Sequence, residues 1–502
     1  APPPPPRATV DSGALEGAPL DGESAVLAFR GIPYAASPAG AARWTPPRPA
    51  SRWSGVRDAR QAGAACPQPD REAGLYRRIT TALGGDPAWV PALRPTSEDC
   101  LFLNVFTARD RGRAARPVLV WIHGGANRFG SGKDEAAALV REGLVVVTFN
   151  YRLGLLGFLA HPALAKESPH GSSGNYALLD QIEALRWVQR NIAVFGGDPH
   201  RVSIVGHSAG GDSVAQLLAS PLAEGLFHRA VIQSGGLGTA RPRAEMEEAG
   251  TKIAARLGAP ASDPLPALRA LPVEALVGAA DGGFDASADG WVIPAPGPSA
   301  LAAGQAHALP LLVGATSDEA RAFALPHDLA TYRNAIAEAG PAWQERVAAR
   351  YPAASEDQVP AALTRLVTER DFVCPARYIA AHRGGPAWLY LFSAAPAPGP
   401  AGTRLGAFHG TDVRLLFDRT YGLPRRPDDA KVGDAMRRYW ARFAAAGDPN
   451  TPGLPDWPAY RTASPHHLDL QAPLRTGGDL AADACALFDA MWDELYRAPE
   501  RR

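Results

Sequence analysis

Cysteine, methionine and lysine are scarce in this 502-residue chain, and charge of neither sign prevails. The four cysteines, Cys66, Cys100, Cys374 and Cys485, form no CxxC pair, which argues against zinc or thioredoxin-like redox chemistry. Their even number suits two disulfides and an oxidising compartment, provided that they meet in space. Lysine occurs only at 133, 166, 252 and 431, so arginine supplies nearly all of the 51 cationic side chains. That bias reflects coding composition and carries no functional weight. The cations meet 51 acidic residues, for a formal net charge of +0. No footprint for nucleic acid or an anionic membrane is visible, and the expected partner is a small molecule. No window offers about 18 uninterrupted apolar residues, so no transmembrane segment is expected.

What the chain has in quantity is apolar side chain, 46% of its residues, enough for a sizeable core. Its length allows two or three average domains, yet Pro and Gly are scattered from end to end and no linker marks a boundary. Apolar runs at 118–122, 144–149, 202–206, 230–234, 310–314 and 387–392 read as strands. Between them lie helical patterns, the clearest at 175–192, where Leu178, Ile182, Leu185 and Val188 recur at three- and four-residue spacing. Strands apolar on both faces, alternating with amphipathic helices, predict an α/β fold with a large, mostly parallel sheet covered by helices on both sides. One domain is expected over 11–502, with helical excursions around 238–305 and 320–385 and an Ala/Pro-rich stretch at 394–404. The opening APPPPPRATV predicts a disordered tail over 1–10. Lacking Met and a basic-then-apolar leader, it fits a mature secreted or periplasmic protein whose signal peptide is gone.

VSIVGHSAGG at 202–211 sets Ser208 between Gly206 and Gly210, directly after a strand and before a segment that can start a helix. A sharp strand-to-helix turn needs small residues beside its apex, and it lifts the serine hydroxyl clear of the sheet. A serine is a weak nucleophile without a base and without donors for the oxyanion. WIHGGAN at 121–127 offers backbone N–H groups of Gly124, Gly125 and Ala126, to which Ala209 adds its own. In this order of elements the acid and then the histidine follow the serine. GATSDEARAF at 314–323 supplies Asp318 or Glu319, and GAFHGTD at 406–412 supplies His409. His207 is nearest in sequence, but neighbouring side chains at a tight elbow diverge. His466 and His467 are rivals without a Gly-rich loop.

With these motifs the chain resembles the type B carboxylesterases, the cholinesterase and para-nitrobenzyl esterase group of the α/β-hydrolase fold. FGGDPHRVSIVGHSAG at 195–210 and SEDCLFLNVF at 97–106 resemble its two signatures. FRGIPYA at 29–35, NYRLGLLGFLA at 150–160, the 174–199 segment and GLFHRAVIQSG at 225–235 extend the likeness. The resemblance implies a serine esterase with Ser208 as nucleophile, His409 as base and Glu319, rather than Asp318, as the acid. It places the oxyanion donors on Gly125, Ala126 and Ala209. It also implies the disulfides Cys66–Cys100, rimming an active-site gorge, and Cys374–Cys485. Buried ion pairs Arg43–Glu98 and Arg152–Asp180 and a supporting role for Ser234 behind Glu319 follow in the same way. Neither metal nor organic cofactor is implied, and a monomer or weak oligomer is expected.

Three departures stand out. His207 replaces a glutamate usual before the nucleophile, which argues against choline esters. Ala126 replaces a glycine, and Asn127-Arg128 stand where phenylalanine usually follows the oxyanion glycines. With Arg321, two residues past the acid, Asn127, Arg128 and His207 would form a pocket hospitable to carboxylates. The expected substrate is then a polar or carboxylate-bearing ester, such as the tricarballylate esters cleaved by fumonisin esterases of this family. Two other readings keep the fold: a non-catalytic cholinesterase-like adhesion or scaffold protein, and an acyltransferase or amidase using the same triad.

Overall fold

Strands with no polar face need cover on both sides, and the chain is laid out around that demand. The computed structural model describes residues 4–496 except 111, 113, 280–283, 302–307 and 324–327. Val145–Phe149 and Leu311–Thr316 are buried at every position. Both lie within an 11-stranded sheet. In spatial order its strands are Arg475–Gly477, His467–Leu470, Ala387–Phe392, Leu311–Thr316, Arg229–Gln233, Gly197–His207, Arg116–Ile122, Val145–Phe149, Phe102–Ala108, Glu23–Pro33 and Ala18–Leu20. Pairing is parallel from His467–Leu470 through Val145–Phe149 and antiparallel at both ends.

Side chains alternate across this sheet and feed two cores. Val118, Val120 and Ile122 enter one, Leu119 and Trp121 the other. Helix Tyr176–Asn191 covers the first face with Leu178, Ile182, Leu185 and Val188. Helix Asp429–Ala446 covers the second with Val432, Met436, Tyr439 and Phe443. This is the α/β layering that the apolar strands and the 175–192 pattern predict.

Two ion pairs lie largely inside the fold. Asp180, fully buried, accepts from Arg152 through its backbone N–H, Nε and Nη2 at 3.0, 2.8 and 2.7 Å. Arg43 donates to Glu98 at 2.7 and 2.5 Å and to the carbonyls of Arg269 and Leu271. Removing one partner of such a pair strands a buried charge, at about 3–5 kcal/mol. Cys66 is bonded to Cys100 and Cys374 to Cys485.

The tail expected over 1–10 is ordered at Arg7–Val10. Arg7–Val10 is a strand paired with Gly13–Glu16, since RATV alternates exposed and buried positions and Arg7 bonds Glu16 at 3.0 and 3.2 Å. Polar-apolar alternation outweighs the preceding prolines there. The 238–305 excursion holds helices Arg243–Arg256, Pro264–Ala270 and Val273–Gly278, and also a small sheet of Ser287–Ala288, Thr239–Pro242 and Gly297–Pro298. The 320–385 excursion is helical at Leu329–Ala337, Gln344–Arg350, Val359–Thr368 and Cys374–His382. Parts of the expected tail and excursions, at 1–3, 280–283, 302–305 and 324–327, lie outside the described residues. Among the described residues no helix is long and apolar enough to cross a membrane.

Candidate active site

Strand Gly197–His207 delivers Ser208 to helix Ala209–Ala219 in a turn where Ser208 has φ 57° and ψ −127°. That left-handed backbone is unfavourable for serine by about 1–3 kcal/mol and persists only where its surroundings impose it. They do. The Ser208 N–H donates to the Gln233 carbonyl at 2.9 Å, and the Ser208 carbonyl accepts from Gly211 and Asp212 at 2.7 and 3.0 Å. A Cβ on Gly206 would lie 2.0 Å from the Gly210 oxygen, and one on Gly210 would lie 2.1 Å from the Ile122 oxygen. Glycine is required at both positions because backbone packs on backbone. In the following helix, the partly buried Asp212 accepts from the N–H groups of Gly236 and Gly238 at 2.8 and 3.2 Å, and loss of water around its carboxyl pushes it up to about 6.

Strand Arg116–Ile122 ends beside this elbow and opens into the loop 123–130. Gly125, Ala126 and Asn127 have φ values of 115°, 52° and 58°. Among the described residues, the N–H groups of Gly125, Ala126 and Ala209 donate to no protein acceptor. Three backbone donors thus remain available near Ser208, the chemistry that a developing oxyanion needs.

Strand Leu311–Thr316 presents Glu319 one turn later, fully buried. Its Oε1 accepts from the Thr316 N–H at 2.7 Å, and its Oε2 lies 2.5 Å from His409 Nδ1. The His409 N–H also donates to the Glu319 carbonyl at 3.2 Å. Phe323 and Phe372 flank the imidazole at 5.2 and 5.0 Å between ring centroids. Nearby Asp412 accepts from Gln233 Nε2 at 3.0 Å and the Tyr390 hydroxyl at 3.3 Å, and is pushed up to about 6 by burial first and by the charge of Glu319 second. Asp318 points elsewhere. It accepts from Ser317 Oγ at 2.7 Å and the Ala407 N–H at 3.2 Å and pairs with Arg321 at 2.9 Å.

Ser208 and His409 face one cavity of about 270 Å³. Leu75, Ile79, Phe129 and Phe323 make its walls largely apolar, and Gly125, Ala126 and His207 complete it near the serine. Among the described residues no hydrogen bond joins Ser208 to His409, although serine–base bonds in ligand-free sites are commonly long and tighten when substrate binds. The His207 ring lies 4.5 Å from that of His409, and its Nε2 is buried without a partner. Burial, and then the charge of His409, push His207 well below the ordinary histidine range, so it stands neutral beside the base.

The other residues that the sequence points to do not gather here. Gly125 O accepts from the N–H groups of Arg128 and Phe129 at 2.9 and 3.1 Å, a tight turn that sends residues 127–128 away and returns Phe129 to the wall. Asn127 donates to the Phe284 carbonyl at 2.7 Å, and Arg128 lies over the Phe284 ring at 5.6 Å. Arg321 is half-exposed on Asp318. The expected carboxylate pocket of Asn127, Arg128 and Arg321 is therefore absent from this cavity, and His207 alone of that set lines it. Ser234 Oγ has no hydrogen-bond partner and does not support Glu319, whose oxygens are taken by Thr316 and His409. His466 bonds Ser464 and His467 the Gly478 carbonyl, far along the sheet edge. Lys133, Tyr76 and Phe129 on the cavity wall belong to none of the motifs read from the sequence. Lys133, one of four lysines and ten residues past His123, is the available signal among them.

The family model described as "Carboxylesterase family" matches residues 4–488. Fumonisin B1 esterase of Sphingopyxis macrogoltabida is 37% identical over 484 residues, covering 89% of this chain and 83% of that protein. Para-nitrobenzyl esterase of Bacillus subtilis (strain 168) is 34% identical over 488 residues, covering 91% and 94%. A solved structure of PNB esterase superposes with a TM-score of 0.81 at 31% identity, over 96% of this chain and 99% of that one.

Proposed function

Since the chain belongs to the carboxylesterase family and is a carboxylic ester hydrolase, we propose that it cleaves its esters through an acyl-enzyme built on Ser208, His409 and Glu319. Ser208 Oγ attacks the ester carbonyl while His409 Nε2 takes its proton. Glu319 on Nδ1 fixes the tautomer and stabilises the imidazolium. The carbonyl oxygen, now negative, accepts from the N–H groups of Gly125, Ala126 and Ala209, each worth roughly 3–4 kcal/mol in comparable sites. His409 returns the proton to the departing alkoxide, and the acyl group stays on Ser208. Water then attacks the acyl-enzyme with His409 again as base, releasing the acid and restoring the serine.

The observation that carries this reading is the 2.5 Å contact of His409 Nδ1 with buried Glu319, on a histidine that shares a cavity wall with a strained, glycine-flanked serine. Neutral His207 fits the scheme, because a second cation there would oppose the imidazolium. We further propose a polar or carboxylate-bearing substrate, a reading supported by the likeness to a protein named fumonisin B1 esterase. The two disulfides suit a secreted or periplasmic setting. The test is stoichiometric organophosphate labelling of the intact protein and of Ser208→Ala, with hydrolysis of a tricarballylate ester and a butyrate ester of one alcohol. Labelling confined to Ser208 and loss of both activities in the variant are expected. Full activity of Ser208→Ala would overturn the scheme.

A further inference from the structure

A second cavity of about 190 Å³ adjoins the one at Ser208, and Tyr76, Ser131, Lys133 and Tyr421 belong to the walls of both. Tyr76 and Tyr421 stack between them with ring centroids 5.8 Å apart. Its outer wall is residues 90–94, inside the segment closed by Cys66–Cys100.

Arg94, Lys133 and Arg419 face this space, against Glu135 and exposed Asp70. The less exposed acids nearby are already engaged. Glu135 accepts from Arg30 at 2.5 Å and from Arg419 at 3.1 Å. Asp134, just behind the wall, accepts from the Tyr421 hydroxyl at 2.7 Å and from Trp121 Nε1 at 3.2 Å. Arg94 is left over. Among the described residues its guanidinium makes no hydrogen bond and no ion pair, although it is only partly exposed. Burial pulls it below the ordinary arginine range, with Glu135 opposing the effect and Arg30 reinforcing it.

A guanidinium drawn out of water with no anion to meet is unfavourable unless an anion arrives, and its planar fork matches a carboxylate. The main cavity, walled largely by Leu75, Ile79, Phe129 and Phe323, shares Lys133 with the side cavity but has no guanidinium among its described walls. We infer that Arg94, with Lys133 beside it, binds a carboxylate of the substrate in the side cavity while the ester to be cleaved lies at Ser208. The inference rests on Ser208 as nucleophile, and it assigns recognition of acidic esters to the disulfide-closed rim rather than to Arg128 and Arg321.

Two measurements test it separately from that reading. Titration of free tricarballylate into the intact protein and into Arg94→Ala reads the side cavity without any catalysis. A Kd at least tenfold weaker in Arg94→Ala, with partial recovery in Arg94→Lys, is expected. Equal Kd values, or no binding to the intact protein, overturn the inference whatever the fate of the Ser208 scheme. Hydrolysis of the tricarballylate and butyrate esters then reads the coupling. Arg94→Ala should raise KM at least tenfold for the acidic ester, leaving kcat and the butyrate ester unchanged. An unchanged ratio of the two kcat/KM values overturns it, whereas loss of both activities on Ser208→Ala speaks only to the nucleophile.

Discussion

The elbow around Ser208 and the rim segment between Cys66 and Cys100 border the same cavity, yet they are held in different ways. At the elbow, backbone packs on backbone so closely that Gly206 and Gly210 admit no Cβ, and the neighbouring strands are buried where they approach it. The rim has one helix, Glu72–Ala82, a single 3₁₀ turn, and Trp89 exposed at 75%. It is tied down at points: the disulfide, the Arg43–Glu98 pair, and Gln68, which exchanges hydrogen bonds with Gly130 at 2.9 and 2.8 Å. The difference teaches where each task can reside. On the proposed scheme, bond-making geometry would sit on the part that cannot shift, and choice of substrate on a segment whose side chains can change without disturbing the sheet.

The largest expected effect strikes the elbow. Ser208→Ala should lower kcat for every ester by about 10⁴-fold or more while leaving the melting temperature nearly unchanged. Gly210→Ala should fail more broadly, because its Cβ meets the Ile122 carbonyl at 2.1 Å. Loss of several kcal/mol in chemical denaturation, together with lost activity, would mark the elbow as a structural lock; a stable, active variant would refute that view. Opening the rim with Cys66→Ser and Cys100→Ser releases a bridge of separation 34 and should cost about 3–4 kcal/mol. Here KM should rise more than kcat falls, the opposite of the serine variant.

Asp212 provides a finer test within the elbow helix. Its folded carboxyl titrates near 6 against an ordinary 3.8, so the proton is held more tightly in the fold than in the unfolded chain. The resulting stability is complete below about pH 4 and is lost as pH rises through 6, by about 3 kcal/mol in all. Asp212→Asn keeps an oxygen for Gly236 and Gly238 and should flatten that part of the denaturation profile between pH 4 and 6. The smallest effect is expected from Arg321→Ala, which lies outside the cavity and should leave the ratio of acidic to neutral ester hydrolysis within about twofold.

Much of the layering is written in local pattern. Runs such as VVVTF at 145–149 have no polar face to expose, and the 175–192 spacing allows one buried stripe, so sheet and cover follow from burial alone. Glu319 and His409 are within reach of sequence reasoning because each follows a strand on a loop, where chain order and spatial order agree. Direction is what sequence conceals. Asn127 and Arg128 stand one and two residues past Ala126 and still leave the cavity, since two successive left-handed residues reverse the chain. Arg94 stands three residues before SEDCLFLNVF yet belongs to no motif, and only the fold shows it on a cavity wall, in the segment closed by Cys66–Cys100. The strand at Arg7–Val10 is hard to see in sequence because prolines mask a four-residue alternation.

The bridge between Cys374 and Cys485 encloses His409 in a covalent ring, while Ser208 and Glu319 lie on the open chain before it. A protease cutting after exposed Arg404 would sever the polypeptide between Glu319 and His409, yet each fragment would carry one of the two sulfurs. The cleaved protein would then be a two-chain molecule, migrating as one band until a thiol reagent parts it, and losing His409, its proposed base, to dilution only then.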